Sequence, residues 1–247
     1  MPPRLAPIAA AAGLTLLIAV AATLPAFAEE PAQKEEPVQK QEPSAKKAAG
    51  PKWTSLFDGK SLAGWKPSDF LGRGEVAVKE GTIVLGTGMD MTGITIDRKI
   101  PKVNYLVELE AKRTDGSDFF CGFTFPVGEE FCSLIVGGWG GGVIGLSSLN
   151  GFDASENQTT TYREFENGKW YPVKLRVTDQ RITAWIEGKE MVDADIRGVE
   201  LDTRLEVEWS KPFGIATWNT AAALRKLRLR ELTEQEVKAA NDGLPAE

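Results

Sequence analysis

Between Phe119 and Phe152 the chain reads FFCGFTFPVGEEFCSLIVGGWGGGVIGLSSLNGF, and this stretch restricts what it can fold into more than any other. Phe119, Cys121, Phe123 and Phe125 alternate with smaller residues. Cys132, Leu134 and Val136 repeat that period, and Val143 and Leu146 follow. Alternation bounded by turn residues is the pattern of antiparallel strands with one buried face. A Pro-Val-Gly-Glu turn at 126–129 divides the first two strands. The run from Gly137 to Gly142, interrupted only by Trp139, divides the second from the third.

The same period extends both ways from this block. Glu75–Lys79 and Thr82–Gly86 flank Glu80-Gly81, a hairpin signal. Val103–Arg113 is the longest strand expected, with Tyr105, Val107, Leu109 and Ala111 on one face and Glu108, Glu110 and Lys112 on the other. Lys169–Thr178, Arg181–Glu187 and Glu190–Ile196 form a meander, and Gly214–Trp218 and Leu224–Leu232 close the domain. Trp65, Trp185 and Trp209 read as packing residues. Many short strands at regular spacing, with no amphipathic helix among them, predict an all-β sandwich or jelly roll.

The ends of the chain are of another kind. Arg4, an apolar run from Ile8 to Leu24 and Ala26-Phe27-Ala28 match a secretory signal peptide over residues 1–28, so the protein is expected to be exported, periplasmic or extracellular. The run is short for a spanning helix and contains Gly13, so no membrane span is expected after cleavage. Residues 29–50, rich in Pro, Glu, Lys and Gln, have only Val38 as a large aliphatic residue and read as a solvated linker. The folded domain then spans residues 51–232, with a polar tail over 233–247. A formal net charge of −6 argues against nucleic acid as a partner.

The sequence contains no histidine. That removes Ser-His-Asp and Cys-His nucleophile systems and every His-ligated metal. Acid–base chemistry falls to Asp, Glu, Lys, Tyr or Cys, and no metal or other cofactor is expected. The two cysteines, Cys121 and Cys132, sit on adjacent strands. A four-residue loop at 126–129 would set Phe125 opposite Glu130 and leave the cysteines diagonal, about 7 Å apart. That separation favours two buried thiols over a disulfide.

Several segments together resemble the 3-keto-disaccharide hydrolase family: LFDGKSLAGW (56–65), VELEAKR (107–113), CGFTFP (121–126), GKWYPVKLRVTDQRITAWIEGKEMVD (168–193) and LRKLRLREL (224–232). The resemblance covers the whole domain. It implies a concanavalin A-like jelly roll of two curved antiparallel sheets, with a small sugar or glycan bound on the concave face. Two departures stand out. The family's strand ending in Arg here ends at Pro126, and its Glu and Gln two residues apart are replaced by Cys132 and Leu134 or by Ser133 and Ile135, depending on register.

The resemblance matches Glu110 and Lys112 to the family's carboxylate and basic position, so Glu110 is the expected base and Lys112 the group polarising a ketone. Asp118 or Asp153 is then the acid. Read from the residues alone, Glu108, Glu110 and Lys112 fit an ordinary solvated face better, and it is the resemblance that raises Glu110 to a site candidate. Trp139, flanked by glycines, either offers its ring to a sugar or tucks onto the sheet. Glu108, Thr124, Ser133, Trp139, Asn150 and Arg163 are the expected sugar contacts. Asn150 and Asp153 open the polar loop before Asn167, and Arg163 lies within it. Three function classes follow: an enzyme cleaving 3-keto glycosides by elimination and hydration, a non-catalytic carbohydrate-binding module, and a structural envelope protein.

Overall fold

The computed structural model describes residues 51–244. The expected signal peptide and linker lie outside the described residues. In chain order the strands are β1 (Thr54–Ser55), β2 (Trp65–Pro67), β3 (Val76–Lys79), β4 (Thr82–Leu85), β5 (Met91–Ile96), β6 (Tyr105–Asp115), β7 (Cys121–Val127) and β8 (Glu130–Gly138). They continue as β9 (Val143–Ser147), β10 (Thr161–Tyr162), β11 (Tyr171–Val177), β12 (Arg181–Ile186), β13 (Lys189–Asp195), β14 (Gly214–Trp218) and β15 (Ala221–Glu231). A 3₁₀ turn, Leu205–Ser210, precedes β14, and helix α1 (Glu234–Asn241) ends the described chain.

The strands form two sheets. The first has the order β13-β12-β11-β6-β15-β4-β3, with β1 also paired to β15. The second has the order β10-β9-β8-β7-β14-β5-β2. Every pairing between these strands is antiparallel. The fold is thus the all-β jelly-roll sandwich that the alternation requires.

The inner faces hold the core. Tyr105, Val107 and Leu109 of β6, Phe123 and Phe125 of β7, Cys132 and Leu134 of β8, and Tyr171 and Val173 of β11 are all buried in one cluster. Phe123 meets Phe213 edge-on at 4.8 Å between ring centroids. Each such side chain contributes about 1.5–3 kcal/mol on full burial. The two tyrosine hydroxyls of the core are both paired: Tyr105 donates to the Pro126 carbonyl at 2.7 Å, and Tyr171 accepts the Glu166 N–H at 2.8 Å.

Two local features depart from simple alternation. The β7–β8 connection is a two-residue loop, Gly128-Glu129, with Gly128 at φ +65° supplying the left-handed position. Phe125 therefore faces Cys132 and Cys121 faces Val136, not Leu134. Pro126 stays inside the strand because β14 pairs with β7 only through Gly122–Thr124, so its missing N–H is not needed on that side. Both thiols are free and buried, and burial pushes each up to about 12. In β15 a bulge between Arg225 and Arg228 inserts Lys226 at φ +56°. The extra residue lets Leu224 and Leu227, three apart, both face the core.

The polar tail starts with a helix. Thr233 caps α1 through a reciprocal capping box with Glu236, and Glu236 also accepts two hydrogen bonds from Arg230, at 2.6 and 2.8 Å. Trp65 is buried, as expected. Trp209 is 58% exposed on the 3₁₀ turn, and Trp185 points outward from β12 beneath Lys174 at 4.0 Å, so neither is a core residue. No helix among the described residues is long and apolar enough to cross a membrane.

Candidate functional site

With Phe123, Phe125, Cys132, Leu134, Ile144 and Leu146 turned inward, the alternate positions of the second sheet face outward, and most of them are small. They are Gly122 and Thr124 on β7, Ser133 and Ile135 on β8, Gly145 and Ser147 on β9, and Gly93 on β5. Small residues let other segments come down onto the sheet. A Cβ at Gly145 would stand 2.7 Å from the Ala154 carbonyl oxygen, and one at Gly93 would stand 3.0 Å from the Phe70 ring. The 3₁₀ turn lays Val207 against Phe70, Met91 and Ala216, while Ala154 packs on Ile135 and Val143. Between these covers lies a cavity of about 230 Å³.

Its walls are aromatic: Phe119, Trp139 and Trp218 all line it. Trp139 occupies the turn between β8 and β9 at φ +48° and is 43% exposed. The turn can sit this close because Gly141 leaves room: a Cβ there would meet the Ser117 carbonyl oxygen at 2.6 Å. The Trp139 ring is thus partly exposed at the edge of the cavity rather than fully tucked onto the sheet.

The polar groups of the cavity come from three places. Asp118 accepts the Phe119 N–H on Oδ1 at 2.7 Å and the Gly140 N–H on Oδ2 at 3.0 Å, which fixes its carboxylate beside the Trp139 turn. Arg204 and Glu206 enter from the segment leading into the 3₁₀ turn, joined by hydrogen bonds at 2.9 and 3.3 Å. Arg204 also donates to Asp153 at 2.7 Å. The hydrogen bond to Glu206 is the main reason the Arg204 guanidinium is held above its ordinary range. The same bond lowers the Glu206 carboxyl, against the opposing effect of burial. Glu206 therefore stays ionised and acts as an acceptor.

Hydroxyls form the floor. Thr124 pairs with Ser133, and Ser133 in turn with Ser147, across three adjacent strands. The Thr124 and Ser133 oxygens share a hydrogen bond of 2.8 Å. Ser147 is 1% exposed, lines the cavity, and its Oγ has no hydrogen-bond partner among the described residues. A buried hydroxyl left unpaired costs about 1–3 kcal/mol unless something in the cavity satisfies it.

The expected site residues divide between the two sheets. Asp118, Ser133 and Trp139 line the cavity, Thr124 holds Ser133, and Asp153 holds Arg204. Ser133 and Ile135, rather than Cys132 and Leu134, are the outward pair of β8, which settles the register left open by the sequence. Glu108, Glu110 and Lys112 do occupy the non-core face of β6, but that strand belongs to the first sheet, so they lie on the opposite outer surface. There Glu110 accepts from Arg225 at 2.6 Å and from Lys226 at 2.7 Å. Partial burial pushes its carboxyl up, but hydrogen bonds from Lys226 and Arg225 and their charges outweigh this and leave it lowered. The expected grouping of Glu110 and Lys112 with Asp118 or Asp153 is not formed.

Two further residues stand apart from the cavity. Asn150 accepts the Glu200 N–H at 2.9 Å and so ties the polar loop to the segment before the 3₁₀ turn. Arg163 pairs with Glu187 and lies over the Phe165 and Tyr171 rings, at 5.6 and 5.3 Å. Arg204, Glu206, Trp218 and Ser147 were not anticipated. The readable signal was residues 197–213, a long segment without alternation between two strands, which is the kind of connection that carries function. Among the described residues no group of three or more Asp, Glu, Cys or His side chains is placed to hold a metal.

No curated protein matches the sequence. Among solved structures, the chain is similar to domain 4 of AbnA, a GH43 extracellular arabinanase from Geobacillus stearothermophilus, in complex with arabinotriose. That match has 15% identity and a TM-score of 0.48, over 76% of this chain and 96% of the other. It is similar to the carbohydrate-binding module CBM66 from Bacillus subtilis at 12% identity and a TM-score of 0.45, over 68% and 96%. The Crh5 transglycosylase in complex with NAG matches at 13% and 0.49, over 76% and 86%. These are likenesses of overall shape and carry nothing about ligands. The family comparison goes further, since one model matches residues 52–230, nearly the whole described sandwich. The chain belongs to the carbohydrate-related family of the 3-keto-alpha-glucoside-1,2-lyase-like domain.

Proposed function

We propose that the cavity on the second sheet binds one ring of a 3-keto glycoside and breaks its glycosidic bond by elimination. The observation that carries this reading is the unpaired, buried Ser147 hydroxyl in a cavity walled by three aromatic rings and furnished with Asp118, Arg204 and Glu206. A sugar ring offers what such a cavity lacks: apolar C–H faces for the indoles and hydroxyls for the polar atoms.

A ketone at C3 acidifies the hydrogen at C2. Asp118, fixed by two backbone N–H groups and free of any ion pair among the described residues, takes that proton. The electron pair moves toward the C3 oxygen, which Arg204 polarises with guanidinium N–H groups not used by Asp153 and Glu206. The C1–oxygen bond then breaks, leaving a C1=C2 double bond, and the departing oxygen is protonated by water. Addition of water across the double bond completes a net hydrolysis. The signal-peptide pattern of residues 1–28 supports an exported site of action.

The second reading is a binding module without turnover. It is favoured by Pro126, Ser133 and Ile135, which stand where the resemblance places the family's Arg, Glu and Gln. One experiment separates the two. Release of reducing sugar from a 3-keto-disaccharide, absent with the unoxidised disaccharide, supports the lyase; saturable binding with no release supports the module.

A further inference from the structure

We infer that the outward face of the first sheet is a second binding surface, built for an anionic oligosaccharide. It does not depend on the chemistry assigned to the cavity. On the three central strands, β15, β6 and β11, the outward side chains include Lys112, Lys174, Arg176, Arg225, Lys226, Arg228 and Arg230. Against these seven cations the same strands offer two outward carboxylates near the middle, Glu108 and Glu110; Glu236 of α1 adds a third through Arg230. At the edge of this face β13 adds Glu190 and Asp193 beside Arg176 and Arg181, so the cationic excess belongs to the three central strands and is a local feature of a chain whose formal net charge is −6.

Aromatic rings are interleaved with the cations. Trp53 lies under Arg228 at 4.3 Å, Trp170 under Arg225 at 4.0 Å, and Trp185 under Lys174 at 4.0 Å. Trp53 and Trp185 stand at the two sides of a groove of about 650 Å³ with Glu108, Glu110 and Lys226 between them. From β12, which carries Trp185, to β15, whose Arg228 covers Trp53, the groove crosses three strand spacings, about 14 Å. That length admits a short run of pyranose rings rather than one.

The carboxylates decide between classes of polyanion. Glu108 and Glu110 each anchor cations: Arg228 reaches Glu108 at 2.5 and 2.9 Å, and Arg225 gives only its Nε to Glu110, leaving its terminal amino groups for other acceptors. Lys112 and Lys174 have ring contacts but no ion-pair partner among the described residues. A carboxylate repels any anionic group, uronate or phosphate, but it also accepts hydrogen bonds from sugar hydroxyls, which a uronate chain carries on every ring and a DNA backbone lacks. A uronate chain presents both one carboxylate and several hydroxyls per ring, together with apolar ring faces for tryptophan.

Titration of the protein with oligogalacturonate, a neutral cello-oligosaccharide and a single-stranded oligonucleotide tests the assignment. Oligogalacturonate is expected to bind, and tenfold or more weakly when salt rises from about 0.05 to about 0.5 M. The double variant Lys174→Gln, Arg228→Gln should lose tenfold or more with an unchanged melting temperature. Trp185→Ala, which removes no charge, should lose about as much. No binding, equal binding of the neutral glycan, tighter binding of the oligonucleotide, or indifference to both variants would each overturn the proposal. So would displacement of oligogalacturonate by a 3-keto-disaccharide, because it would place the ligand in the cavity of the other sheet.

Discussion

On the second sheet, β7, β8 and β9 point Gly122, Thr124, Ser133, Gly145 and Ser147 away from the core. On the first, β6, β11 and β15 point Glu108, Glu110, Lys174, Arg225 and Arg228 the same way. The inner layers are alike, yet the outer surfaces differ because of side-chain length. Short residues allow the 3₁₀ turn and the loop at Ala154 to settle on the sheet, and what they leave uncovered is a small cavity with buried hydroxyls. Long charged residues pair with each other and stack on tryptophans, and among the described residues the surface stays an open groove. Depth follows from small outward residues.

The sharpest way to break this contrast is to remove one carboxylate from each side. Asp118→Asn should lower turnover of a 3-keto-disaccharide by roughly 10²–10⁴-fold, the usual contribution of a positioned base. Glu110→Gln should cost at most about a few-fold, since its partners already hold it ionised on the far face. A reversed result in steady-state assays would move the chemistry to the first sheet.

Next comes the closeness of the cover. Gly145→Ala pushes a methyl toward the Ala154 carbonyl oxygen, and overpacking of this kind costs about 1–3 kcal/mol. Lys112→Ala, on the open face, should stay within about 0.5 kcal/mol in the same chemical denaturation experiment. Equal losses would mean that the second sheet is not closely covered.

Trp139→Ala probes the cavity's rim. Removing an indole wall should weaken sugar binding by about 1–2 kcal/mol, roughly tenfold, in calorimetry. Because the ring is 43% exposed, the melting temperature should hardly move. A large fall in melting temperature with unaltered affinity would make the ring a structural element instead.

The smallest effect is at α1. Hydrogen bonds from Arg230 are the main reason the Glu236 carboxyl is lowered to about 2, against the effect of burial, with the Thr233 N–H and the Arg230 charge lowering it further. A depressed folded-state value means stability present above the unfolded value of 4.5 and lost as pH falls toward about 2. Over that window α1 should fray, seen as hydrogen exchange at Val237 and Ala240, before the sandwich unfolds. Glu236→Gln should remove the dependence.

Much of the sandwich was legible in advance. The faces of β6, the Glu80-Gly81 hairpin and the meander from β11 to β13 follow from alternation, because a strand has a period of two and any one-residue slip would expose its apolar set. The β7–β8 register was harder. Pro126 suggested a turn residue, and only the short reach of β14 made it tolerable within the strand. The site was half legible. Asp118, Ser133 and Trp139 were anticipated, whereas Arg204 and Glu206 sit in a segment with no period to read.

The sequence by itself determined the class of fold, the two faces of β6, the absence of imidazole chemistry and the family. Each of these depends on residue type or on local period. It could not determine which sheet each strand joins. Glu110 and Asp118 are eight positions apart and both polar, but the chain crosses from the first sheet to the second between them. That crossing is set by how the two apolar faces close on one another, a property of the whole sandwich. Only the tertiary structure could separate the two carboxylates and bring Arg204, from 86 residues further along the chain than Asp118, into the same cavity.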